Sequence, residues 1–165
     1  MTQLTAAMGI TKPSLYAAFG NKEQLFRKAL DLYENEKLAY TREALRRSSA
    51  REVAEHLLRG AIEAQTSSQD PKGCLGVIGA TACGAEAESI KAEVIARRAS
   101  SHAALLERFR QAERDGDLPA QVTPETLSQY LFTILQGMAV QAGAGATRSE
   151  LEAVLETILL LWPST

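Results

Sequence analysis

Apolar residues recur at three- and four-residue intervals along nearly the whole chain, and most glycines and prolines fall where that rhythm breaks. Alternating runs rich in β-branched residues, the mark of strands, are absent. The expected fold is therefore all-α. Helices are expected from Thr2 to Met8, stopped by Gly9, and from the Thr11 cap, with Pro13 in its first turn, to Phe19. Asn21 should cap a third that runs to about Arg46, and a fourth should start near Ser49. Thr66 to Gly73 reads as a loop. Cys74 to Cys83 reads as a short buried helix weakened by Gly76 and Gly79, each costing roughly 1 kcal/mol relative to alanine. A long helix should span Glu86 to Arg114. Thr123 with Pro124 should start the next, and Thr147 or Ser149 the last.

The chain of 165 residues suffices for one good core or for a small domain fused to a medium one. No apolar run approaches the ~18 residues of a membrane span, and no charged-then-apolar leader directs secretion. Two cysteines, Cys74 and Cys83, make no disulfide framework and fit a reducing cytoplasm. The cysteines and two histidines lack zinc spacing, so no metal or other cofactor is expected. There is no nucleophile elbow, phosphate loop or paired carboxylates in an evident cleft, which argues against an enzyme. Net charge is −2, but it is unevenly spread. Before Asp31 stand Lys12, Lys22, Arg27 and Lys28 against Glu23 alone. A basic tip on an acidic body suits a polyanion approached from one end.

The stretch from Leu4 to Phe26 is the most specific in the chain. A short helix ends at glycine, and a second opens with a hydroxyl cap and a proline. A third opens at Asn21-Lys22-Glu23. This is the order of a helix-turn-helix that reads duplex DNA. On the second helix Leu15 and Phe19, four apart, face inward, leaving Thr11, Lys12, Pro13, Ser14, Ala17 and Ala18 outward. Small side chains at Ala17 and Ala18 admit close approach to the major groove and contact with thymine methyls. Lys12 is the one long donor there, and the Thr11 and Ser14 hydroxyls suit bases or phosphate. The Tyr16 phenol suits a phosphate oxygen. Lys22 at a helix start suits another, beside the free backbone N–H groups.

Gly9-Ile10-Thr11-Lys12-Pro13-Ser14-Leu15-Tyr16-Ala17-Ala18-Phe19, followed by Asn21-Lys22-Glu23-Gln24-Leu25-Phe26, closely resembles the DNA-binding domain of TetR-type transcriptional regulators. The resemblance covers about Leu4 to Tyr33. It implies an incomplete helix-turn-helix domain with its connecting helix over 1–46 and an effector-binding and dimerisation domain over 47–165. It implies repression of transcription, relieved by a small-molecule effector, in a homodimer on double-stranded operator DNA. By position Tyr16 and Lys22 match the phosphate contacts, and Thr11, Lys12, Pro13, Ser14 and Ala17 the base-facing helix. Such regulators begin with a longer helix beneath the reading pair, whereas this chain starts inside their second. Leu4, Leu15, Phe19 and Leu25 are accordingly expected to be partly exposed and the reading head loosened.

An effector pocket is expected to be lined by Cys74, Ile78, His102, Tyr130, Thr133 and Gln136, in keeping with a mostly apolar pocket carrying a few polar groups. The last two helices have little polar face. Leu131, Leu135, Leu151, Leu155, Ile158, Leu159 and Trp162 are expected to meet their twins in a second chain. The competing reading is a dimeric helical scaffold that no longer touches DNA.

Overall fold

The computed structural model describes residues 1–81 and 88–163, with backbone alone for 79–81. Cys83 and the first two residues of the expected long helix lie outside these residues. Among the described residues there are nine α-helices and no strand: α1 (Thr2–Met8), α2 (Lys12–Phe19), α3 (Lys22–Glu36), α4 (Ala39–Ala44), α5 (Ala50–Thr66), α6 (Leu75–Thr81), α7 (Glu88–Arg114), α8 (Pro124–Gly143) and α9 (Arg148–Leu160). The chain forms two compact units, Met1–Glu36 and Lys37–Thr165.

The division falls ten residues before the one expected at 46, because the helix expected from Asn21 to Arg46 is interrupted. Lys37 and Leu38 form a turn, and the Thr41 hydroxyl donates to the Leu38 carbonyl at 2.7 Å. The short α4 then packs on α5. Tyr40 of α4 lies against Gly60 of α5: a Cβ there would stand 2.4 Å from Tyr40 Cδ2, so only hydrogen leaves room for the ring. Periodicity alone continues through this turn, since Tyr40 keeps helical spacing with Tyr33.

In the smaller unit α1 ends at Gly9 in the left-handed conformation, with φ 64°. The Gly9 N–H donates to Ala6 O and the Ile10 N–H to Thr5 O, closing the helix. Leu15 is fully enclosed, at 0% exposure, and Leu30 is buried. Phe19 and Leu25 are half-buried, while Leu4 is exposed. Partial exposure was expected at all four of Leu4, Leu15, Phe19 and Leu25; Leu15 departs from it.

In the larger unit α5 is the central rod, with α4, α7, α8 and α9 packed around it. Val53, Ala54, Leu57, Leu58, Ala61 and Ile62 carry its apolar stripe into the core, where Phe109 from α7 is fully buried. Ser49 and Glu52 cap its start reciprocally, and the Ala50 N–H donates to the Asp117 carboxylate from the turn after α7.

Leu131, Leu151, Leu155, Ile158 and Leu159 are placed differently from the expectation that they face a second chain. All five are buried within their own subunit, and Leu135 and Trp162 pack against the same core. The reason is that α9 lies against α5 as well as α8. Its richest apolar stripe therefore has a partner inside the subunit. What it leaves outward is Val154 and Leu160, followed by Leu161 just past its end, at 43%, 83% and 72% exposure.

Candidate nucleic-acid interface

Two local signals set the geometry of α2. The Thr11 hydroxyl accepts the Ser14 backbone N–H at 3.3 Å, which fixes the helix start, and Pro13 occupies the first turn. Leu15 then points into the unit's interior and anchors the opposite face outward. Thr11, Lys12, Pro13, Ser14, Tyr16, Ala17 and Ala18 are all exposed, with Tyr16 at 40%. The Thr11 and Ser14 hydroxyls meet at 2.9 Å. Gly20 ends the helix, its N–H donating to Tyr16 O at 2.8 Å.

Lys22, exposed, is the first residue of α3. The start of α3 is built by a reciprocal pair. The Asn21 N–H donates to Gln24 Oε1 and the Gln24 N–H to Asn21 Oδ1, both at 2.9 Å. Gln24 was not singled out from the sequence, although Asn followed three residues later by Gln is the signature of such a box. Its effect is to hold the N-terminal turn of α3, and with it the Lys22 backbone, in one orientation. Lys28 lies over the Phe19 ring at 5.4 Å, which leaves Lys12 and Lys22 as the lysines beside the reading helix.

The residues expected to line an effector pocket are not brought together. Tyr130 and Ile78 are each 48% exposed, and Thr133 is exposed, its hydroxyl bonded back to Gln129 O at 2.8 Å. Cys74 is half-buried just before α6. His102 and Gln136 do share a place, the seam between the antiparallel α7 and α8. There His102 stacks on Phe132 at 4.8 Å, Arg98 bonds to Gln136, and Arg110 pairs with Glu125 at 2.9 Å. Sequence reasoning passed over Arg98. It also passed over Gln65, buried at 5% exposure with no hydrogen bond to its Oε1 among the described residues.

No helix among the described residues is long and apolar enough to cross a membrane, and no cluster of metal-binding side chains is found among them. Fold and exposed face together are those of a helix-turn-helix regulator. No family profile matches the chain. Over 166 aligned residues it is 30% identical to the HTH-type transcriptional repressor ComR of Escherichia coli strain K12, covering 99% of this chain and 79% of ComR. It is 41% identical to a cysteine-substituted form of the TetR family transcriptional regulator CifR, solved with 26-base-pair double-strand operator DNA; the TM-score is 0.91, over 99% of this chain and 86% of that one. A second substituted CifR on operator DNA gives 42% identity and a TM-score of 0.89, covering 97% and 84% of the two chains. The chain belongs to the TetR family of transcriptional regulators, which are not enzymes.

Proposed function

We propose that this regulator represses transcription in the cytoplasm by binding double-stranded operator DNA through α2, and that a small-molecule effector releases it. The single observation behind the DNA-binding reading is the division of α2. Leu15 is wholly enclosed while Thr11, Lys12, Pro13, Ser14 and Ala17 stand outward with small or donor side chains. In this reading Tyr16 and Lys22 hold backbone phosphates on either side of the probe. The operator DNA in the two CifR complexes, and the repressor function given for ComR, support it.

The proposed unit is a homodimer. Its interface is the surface that α8 and α9 leave uncovered: Tyr130, Thr133, Gly137 and Val140 at helical spacing on α8, with Val154 and Leu160 on α9 and Leu161 just after it. The test of the whole reading is titration of a labelled duplex, taken from the DNA adjoining the protein's own gene, at several salt concentrations. Saturable binding that weakens steeply with salt and is lost on a scrambled duplex is expected. An intact dimer with no preference for any duplex would leave the scaffold reading in its place.

A further inference from the structure

The larger unit contains three half-buried arginines among its described residues: Arg97, Arg98 and Arg108. Taking a guanidinium even partly out of water is costly unless an anion or several carbonyls replace the solvent. Arg97 meets Glu93 at 2.7 Å, and Arg108 donates to the carbonyls of Arg47 and Ser48 at 2.8 and 3.1 Å. Arg98 differs. Its partner among the described residues is the amide oxygen of Gln136, a neutral group.

The sequence denies Arg98 an acid from the helix it faces. Between Glu125 and Gly143 α8 carries no charged residue, and neither does α6. On its own helix, the neighbours of Arg98 at four residues' distance are Val94 and His102. His102 lies on the same seam one turn away. Its ring is fixed by stacking on Phe132, and its Nε2 is buried with no hydrogen-bond partner among the described residues. A charged donor tied to a neutral amide and an unsatisfied ring nitrogen thus stand one turn apart on the seam between α7 and α8.

We infer that Arg98 and His102 form the recognition point for an organic anion, a carboxylate attached to an apolar body, which is the effector class of this regulator. The inference rests on the effector-release reading above. The carboxylate takes the Arg98 guanidinium in place of Gln136 and accepts a hydrogen bond from His102 in its Nε2–H form. Phe132 holds the imidazole plane, so that the two donors converge on one group. Gln136 serves as the neutral stand-in that keeps Arg98 extended when no anion is present.

The test uses the whole chain and a matched pair of probes, benzoate and its neutral isostere benzamide, with hexanoate as an aliphatic acid. Melting temperature is followed against each. The acids are expected to raise it saturably and benzamide to leave it unchanged. Arg98→Gln is expected to weaken benzoate by about tenfold or more, the loss of a charge-assisted bond, while Arg98→Lys keeps part of the response. His102→Phe, which keeps a ring against Phe132, should weaken it severalfold. An equal response to benzoate and benzamide, full affinity in Arg98→Gln, or no response to either acid overturns the inference; the wild-type comparison decides even if a variant fails to fold. Operator binding is measured on the same samples. If the chain ignores operator DNA but still takes benzoate through Arg98, the DNA-binding reading falls and the anion site stands. If operator binding is intact and neither acid stabilises the chain, the anion site falls alone.

Discussion

At the scale of single residues, Tyr16 and Lys22 offer the sharpest test of the DNA reading, because neither side chain is engaged in the core. Lys22→Ala should weaken binding to specific and scrambled duplexes alike and lower the slope of log affinity against log salt by about one. Tyr16→Phe removes one hydroxyl and should cost about 1 kcal/mol, several-fold in affinity, with the slope unchanged. Anisotropy titrations at four salt concentrations separate the two; an unaltered slope in Lys22→Ala would contradict its phosphate role. The outward placement of these side chains is legible in the sequence because its signals are local: a hydroxyl cap, a proline, and an inward pair four residues apart. Arg98 and Gln65 were not legible. A long polar side chain in a helix reads as solvated, and only the packing of α7 on α8 or the burial of α5 shows otherwise.

At the scale of helices, the caps explain why the boundaries were read nearly correctly and where they failed. Thr11, Asn21, Ser49, Thr123 and Thr147 each start the helix expected of them. The break after Glu36 carries no comparable cap, so nothing in the pattern announced it. Three helices of the larger unit also carry a first-turn glutamate whose carboxyl is held below its ordinary value of 4.5. For Glu52 the main cause is the Ser48 hydroxyl. For Glu125 it is its own backbone N–H, then Arg110. For Glu150 it is the Thr147 backbone N–H. A carboxylate with a lowered folded value contributes stability above its unfolded value and loses it as pH falls through the folded one. Melting temperature should therefore be flat near neutrality and fall below about pH 4.5. In Glu52→Gln the fall should be shallower. An identical acid limb in that variant would remove Glu52 from the effect.

At the scale of the whole molecule, α9 builds the core and, in the proposed dimer, part of the interface, and adjacent residues separate the two. Val154→Glu should turn a dimer into a monomer in sedimentation while leaving the melting temperature nearly unchanged. Leu155→Ala should cost roughly 2–5 kcal/mol of folding stability, the usual loss for a fully enclosed leucine. A dimer that survives Val154→Glu would move the interface elsewhere. The sequence shows that α8 and α9 have little polar face. It cannot apportion their apolar surface, because the claim of α5 on one side of α9 is a matter of tertiary packing. The seam between α7 and α8 has a mechanical corollary of its own. Arg110 with Glu125 clasps it near one extremity, His102 on Phe132 lies midway, and Arg98 with Gln136 comes next. In the proposed binding mode a guest that draws Arg98 aside does not touch the Arg110–Glu125 pair, which lies about three turns away along α7, so the seam is disturbed at one end only.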